Sequence, residues 1–120
     1  MTALSLSNIH KAWGKNTIIE NLSLEIASGE FIVLVGPSGC GKSTLLRIIA
    51  GLEIPDGGKL VMGGKEVTRL AAGKRNLSMV FQSYALYPHM TVRENLSFGL
   101  RNINMPAAEI DKRVAHAASI

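Results

Sequence analysis

The feature that most constrains this chain is a glycine-rich loop between an apolar run and a helix-forming segment. Residues 36–43 match the pattern G-x-x-x-x-G-K-[ST] at every specified position. Residues 31–35 before the loop are apolar and rich in β-branched side chains, which favours a central strand buried on both faces. After Lys42, apolar residues recur at helical spacing as far as Gly51, which suits the end of a helix. We therefore expect the loop to join a buried parallel strand to the N-terminus of a helix.

The residues of this loop are those that a phosphate-binding site needs. Glycines let the backbone turn so that successive N–H groups face one anion, and the following helix directs its positive end to the same point. Lys42 would place a charge between the β- and γ-phosphates, and Ser43 would offer a hydroxyl to Mg²⁺. We predict that ATP and Mg²⁺ bind through Gly36, Pro37, Ser38, Gly39, Cys40, Gly41, Lys42, Ser43 and Thr44. The alternative is a glycine-rich turn that binds no ligand.

Composition argues against several other functions. The net charge is +4, but the basic residues are scattered and lack the interleaved aromatic residues of a nucleic-acid groove. A single cysteine, Cys40, allows no internal disulfide. No apolar run approaches the ~20 residues that span a bilayer, and the N-terminus does not resemble a signal peptide. We expect no nucleic-acid partner, and action at a membrane only from the cytoplasmic side through another subunit.

Strands are predicted mainly in the first two thirds of the chain. Alternation of apolar and polar residues indicates half-buried strands, and Gly63 with Gly64 suits the turn of a hairpin. The predicted strands are residues 4–9, 22–26, 59–62 and 65–68. A loop is expected at residues 11–17, and residues 77–81 form a further apolar stretch.

Two helices are predicted in the last third of the chain. Thr91 and Glu94 have the spacing of a capping box at the start of a helix. Pro106 suits the first residue of a last helix, which we expect to be still running at Ile120. With the preceding strands, these helices indicate an α/β fold.

Two stretches resemble a known family. Residues 36–53 (GPSGCGKSTLLRIIAGLE) and residues 79–100 (MVFQSYALYPHMTVRENLSFGL) are similar to the ATP-binding subunits of ABC transporters. The second stretch is more specific and resembles the group that energises import of carbohydrates and glycerol phosphate. The resemblance covers nearly all of residues 1–120. It implies a P-loop NTPase core with an antiparallel β subdomain, and a helical subdomain that starts near residue 91.

The resemblance implies roles for residues outside the loop. Gln82 matches a glutamine that reaches Mg²⁺ and the attacking water, so Gln82 and Lys42 are expected to be catalytic, and Gln82 and Ser43 to hold the metal. Trp13 stands where the family places an aromatic residue against adenine, whereas a tryptophan of the core or rim is the alternative. Residues 83–90 would contact a transmembrane permease subunit, or instead pack against this protein's own helices.

Other parts of the family's site do not occur in this sequence. We find no Leu-Ser-Gly-Gly-Gln signature, no apolar strand ending in Asp-Glu and no switch histidine on a later strand. The resemblance therefore implies a fold truncated before the helical subdomain is complete, and a site closed by a second copy of the subunit. We expect the chain to bind ATP weakly and to hydrolyse it poorly or not at all.

The function implied by the resemblance is that of a motor subunit. It would couple ATP hydrolysis to import of a sugar or a glycerol-phosphate-like solute, at the cytoplasmic face of the membrane. The alternatives are a soluble P-loop nucleotide kinase and a non-catalytic nucleotide-binding remnant.

Overall fold

A computed structural model describes residues 2–83 and 86–120 of the chain. The chain divides into two units, Met1–Met79 and Val80–Ile120. The first unit contains a four-stranded sheet and one α-helix, and the second contains two α-helices. Within the described part of the chain, no helix has the length and apolar character needed to cross a membrane.

The sheet of the first unit is entirely antiparallel. Its strands are β1 (Thr2–Trp13), β2 (Asn16–Ala27), β3 (Gly57–Met62) and β4 (Lys65–Glu66), in the order β2-β1-β3-β4. The predicted strands and the turn at Gly63 and Gly64 are confirmed, except that the last strand, predicted at residues 65–68, is only Lys65–Glu66. The predicted loop at residues 11–17 is wrong, because a tight turn at residues 14–15 lets β1 and β2 pair as far as Trp13 and Asn16.

One α-helix packs against this sheet and closes the core. Helix α1 (Lys42–Ala50) follows the glycine loop and ends at Gly51, as the sequence predicts. Its apolar face meets the inner face of the sheet, and burial of such faces supplies most of the folding free energy. The buried side chains of this core are Leu6, Ile9, Ile19, Leu45, Ile48, Leu60 and Val67.

The predicted central strand at residues 31–35 is wrong for this chain. Phe31 and Val35 are each 89% exposed, and neither residues 31–35 nor residues 77–81 form a strand. A strand buried on both faces needs paired neighbours and a covering layer on each face. None of the strands among the described residues pairs with either segment. Of the α/β core predicted from the sequence, the structure therefore contains the glycine loop and α1, and the sheet beside them is antiparallel.

The second unit consists of helices α2 (Val92–Asn102) and α3 (Ala107–Ser119). The capping box is confirmed: the Glu94 N–H donates to Thr91 Oγ1 at 3.1 Å, and the Thr91 N–H donates to Glu94 Oε2 at 2.7 Å. That bond from the Thr91 backbone holds the pKa of Glu94 below its ordinary value. Pro106 is the N-cap of α3, so the helix begins at Ala107, one position later than predicted.

A buried arginine holds the C-terminal end of α1 in the first unit. Arg75, which follows a short 3₁₀ helix (Ala72–Lys74), donates to the carbonyl oxygens of Ile48 at 2.9 Å and Ile49 at 3.1 Å. It also donates to the carbonyl oxygens of Leu70 and Thr68. Burial lowers the pKa of Arg75. A cation is favourable at this end of a helix because the last carbonyl groups carry partial negative charge.

Gly51 is the residue at which substitution tests this packing. Its φ is +82°, and a Cβ there would lie 2.7 Å from Arg75 Nε and 3.0 Å from the Ala72 backbone. We predict that Gly51→Ala lowers the free energy of unfolding by roughly 1–3 kcal/mol, measured by urea denaturation. The control is Gly99→Ala within α2, where a Cβ would contact nothing within 4 Å. That control should be neutral or stabilising, and equal stability of Gly51→Ala and wild type would contradict the assignment.

Candidate nucleotide site

The glycine loop ends in an uncapped helix N-terminus. Gly41 is the N-cap of α1 with φ +98°, and a Cβ there would lie 3.0 Å from the carbonyl oxygen of Ile18 in β2. Glycine is therefore required for this approach of the loop to the sheet. No side chain caps the first turn of α1, and that turn contains no acidic residue. Because the first backbone N–H groups of a helix have no partner within it, those of Lys42, Ser43 and Thr44 are placed to bind an anion.

The loop folds around its own lysine. Lys42 Nζ donates to the carbonyl oxygens of Gly36 and Pro37, the latter at 2.9 Å, and lies 3.5 Å from Cys40 Sγ. These partners are uncharged carbonyls and a thiol. A phosphate would be a stronger partner, since hydrogen bonds between two charged groups exceed those to neutral acceptors. The ammonium thus lies within the loop and beside the helix N-terminus.

Trp13 lies at the turn end of the β1–β2 hairpin. It pairs with Asn16, and its side chain is 51% exposed, so it is a rim residue and not a core residue. Ile18, which Gly41 approaches, is two positions from Asn16 along β2. Strand spacing and residue rise then place the Trp13 backbone within roughly 15 Å of the glycine loop. Trp13 and the loop thus lie in neighbouring parts of the first unit, and stacking on adenine stays a prediction.

A buried lysine beside Trp13 was missed by reasoning from the sequence. Lys11 Nζ lies 3.2 Å from Glu53 Oε1 and 3.4 Å from Asp56 Oδ1, and it donates to the Ile54 carbonyl oxygen at 3.0 Å. Burial lowers the pKa of Lys11, but the hydrogen bonds to Glu53 and Asp56 outweigh it and raise that pKa above its ordinary value. The signal in the sequence was strand alternation, since Lys11 follows the buried Ile9 by two positions.

A groove of about 260 Å³ also adjoins the loop in the first unit. Its walls are mostly aliphatic, with Ile18, Ile19 and Leu45 among the lining residues. Cys40, Gly41 and Lys42 of the loop and of the first turn of α1 also line it. Phosphate oxygens need donors and positive charge, which the aliphatic walls lack, so the candidate phosphate site is the part of the groove formed by Gly41 and Lys42.

Gln82 lies in the second unit, exposed at a turn. The described residues contain no cluster of three or more histidine, cysteine, aspartate or glutamate side chains that could hold a metal ion. Hydroxyl, amide and phosphate oxygens are suitable ligands for Mg²⁺. The metal-binding roles of Ser43 and Gln82, and the catalytic roles of Lys42 and Gln82, stay predictions.

The predicted contact loop, residues 83–90, is anchored to α2 at its C-terminal side. Asn95 Oδ1 accepts from the Tyr87 N–H at 2.8 Å, and the Tyr87 ring lies 4.6 Å from the Phe98 ring, centre to centre. Leu86, by contrast, is 72% exposed. Residues 84–85 of this loop lie outside the described residues. Tyr87 thus packs against the chain's own helix, while Leu86 remains accessible to a partner.

Comparison with known proteins identifies the family. A sequence profile described as ABC transporter matches residues 19–119, which include the glycine loop, α1 and Gln82. The chain belongs to the ABC transporter family. The resemblance inferred from residues 36–53 and 79–100 is thereby confirmed.

Several curated proteins are similar along the whole chain. The chain is 56% identical, over 98% of its length, to sn-glycerol-3-phosphate import ATP-binding protein UgpC of Brucella abortus (strain 2308). It is also 56% identical, over the same share, to the protein of that name in Rhizobium meliloti (strain 1021). A UgpC 3 of Agrobacterium fabrum is 55% identical, again over 98% of the chain. Each match covers 34% of the relative, so the chain spans about a third of the length of the curated relatives it matches.

Proposed function

We propose that this chain binds Mg²⁺-ATP as part of the motor subunit of an ABC importer. The observation that carries the proposal is the uncapped first turn of α1, which the loop of residues 36–44 leads into. An uncapped helix N-terminus with no acidic residue nearby is a site for phosphate, and Lys42 supplies a cation beside it. Trp13 would stack on the adenine, because half of its surface is exposed and its backbone lies within roughly 15 Å of the loop.

Each polar residue of the proposed site has a separate task. The backbone N–H groups of the loop and of the first turn would hold the β- and γ-phosphates, and Lys42 would exchange its carbonyl partners for phosphate oxygens. The Ser43 hydroxyl and the Gln82 amide would hold Mg²⁺, whose chemistry when bound is to neutralise charge that develops on the phosphates. A second copy of the subunit would complete the site. Positioning and charge account for most phosphoryl-transfer catalysis. Because the signature and the strand ending in Asp-Glu do not occur among residues 1–120, we expect this chain to bind ATP but to hydrolyse it poorly.

Removal of the loop lysine tests the phosphate site. We predict that Lys42→Ala weakens ATP binding roughly ten- to hundredfold, the range expected for loss of one charged hydrogen-bonding group. Isothermal titration with Mg²⁺-ATP measures this change. The matched control is Lys65→Ala, which removes an exposed lysine of β4 and should leave the affinity unchanged.

Two results would count against this assignment. Equal ATP affinity in Lys42→Ala and wild type would show that the phosphates bind elsewhere. Transfer of phosphate from ATP to a nucleoside monophosphate by the wild-type chain would indicate a soluble kinase and not a motor subunit.

We propose a sugar or glycerol-phosphate-like compound as the imported solute. The names of the relatives from Brucella and Rhizobium, which state sn-glycerol-3-phosphate import, support the second of these two classes. The proposed subunit would lie at the cytoplasmic face of the membrane and bind a permease subunit through residues 83–90. Exposed Leu86 supports this contact, since burial of an apolar side chain by a partner is favourable.

A charge at Leu86 tests the contact with the permease. We predict that Leu86→Asp, in the protein as its cells express it, lowers uptake of labelled sn-glycerol-3-phosphate roughly tenfold or more, because the aspartate would be desolvated at the interface. ATP affinity should not change. The control is Ile103→Asp, which charges a similarly exposed position (67%) after α2 and should leave uptake intact. Normal uptake with Leu86→Asp, or an equal loss with both variants, would contradict the proposed contact.

A further inference from the structure

We propose that Lys11 is a positioning residue that fixes the indole of Trp13 and leaves one face of the ring open to a nucleotide base. The proposal rests on the proposed nucleotide function, and it adds Lys11 as a residue that affects base binding through Trp13. Lys11 Nζ lies 4.5 Å from the centre of the indole ring. A cation at this distance above an aromatic face is attracted by the negative potential of the ring.

The ammonium of Lys11 is fixed on all of its other sides. An ammonium has three N–H donors, and Lys11 has three oxygen partners: Glu53 at 3.2 Å, the Ile54 carbonyl at 3.0 Å and Asp56 at 3.4 Å. Its side chain is only 9% exposed. A buried cation held by two carboxylates and a carbonyl does not exchange readily among rotamers, so the ring above it has a fixed support.

Asp56 ties the same network to the backbone next to Trp13. Its Oδ2 accepts from the Ala12 N–H at 2.8 Å, and its own N–H donates to the His10 carbonyl oxygen at 2.8 Å. The Ala12 bond is the largest cause of the lowered pKa of Asp56, and the bond from Lys11 adds to it. The last residues of β1 are therefore held by the segment that joins α1 to β3. Trp13 follows Ala12 directly, so the bond to Asp56 restrains its backbone and Lys11 restrains its ring.

The ring has two faces, and Lys11 covers one. Because Trp13 is about half exposed, the remaining surface is accessible at the end of the hairpin. Stacking on a base requires one accessible face with a fixed orientation, and a ring that rotates would lose that orientation on average. The geometry thus offers one face to a purine while the ammonium holds the other.

The competing explanation is that Lys11 only stabilises the fold through its ion pairs with Glu53 and Asp56. The affinities for two ligands distinguish this explanation from the proposal. ATP has a base that Trp13 can contact, whereas inorganic tripolyphosphate has only the phosphates that the glycine loop binds. Loss of a positioning residue should weaken ATP alone. General damage to the first unit should weaken both ligands, because β2 supports the loop through Ile18 and Gly41.

The experiment compares Lys11→Met with wild type, using the full chain and Mg²⁺. Methionine keeps a long apolar side chain but has no charge. We expect ATP to bind roughly three- to tenfold more weakly in Lys11→Met, with tripolyphosphate affinity unchanged. Trp13 is the only tryptophan of the chain, so its fluorescence reports on this ring alone. The control is Lys59→Met, which breaks the exposed pair of Lys59 with Glu66 and should change neither affinity.

A second variant keeps the test decisive if Lys11→Met does not fold. Glu53→Gln retains the lysine but removes one of its ionic partners, and it should weaken ATP selectively by a smaller factor. Unchanged ATP affinity in both variants, or equal weakening of ATP and tripolyphosphate, would overturn the proposal. If Trp13→Ala leaves ATP affinity unchanged, base stacking fails while the phosphate site stands. If wild type binds neither ligand, the proposed function fails together with the inference.

Discussion

The candidate site depends on contacts that fix α1 at both of its ends. At the N-terminus, Gly41 approaches the backbone of β2 so closely that a Cβ would not fit without displacement. At the C-terminus, the buried Arg75 donates to the carbonyl oxygens of the last turn. Between these ends, Leu45 and Ile48 are buried against the sheet. Backbone N–H donors cannot move independently of the helix that carries them. A binding site formed by such donors therefore needs a helix that is fixed in position.

Much of this site could be predicted from the sequence, because its parts depend on local patterns. The spacing of Gly36, Gly41 and Lys42 predicts a loop and a helix start, and Gly51 predicts the helix end. The capping box of Thr91 and Glu94 is local as well, since both partners lie within four residues. The family resemblance rests on the same short stretches, and the family match confirms it.

The errors came from features that depend on distant parts of the chain. An apolar run at residues 31–35 indicates a buried strand, but a strand forms only where a neighbour pairs with it. No described strand does so here, and the run is largely exposed. The network of Lys11 was missed for a related reason. Its partners Glu53 and Asp56 are more than forty positions away, and nothing in the local pattern shows that the fold brings them together.

The central claim is that backbone N–H groups of the glycine loop and of the first turn of α1 bind the phosphates of ATP. The most direct test is amide hydrogen exchange of the chain with and without Mg²⁺-ATP, followed residue by residue. Binding should slow exchange at the amides of Gly39 to Thr44, with Lys42→Ala as the variant that loses this protection. Saturation with ATP that leaves these amides unprotected, while other amides become protected, would contradict the account.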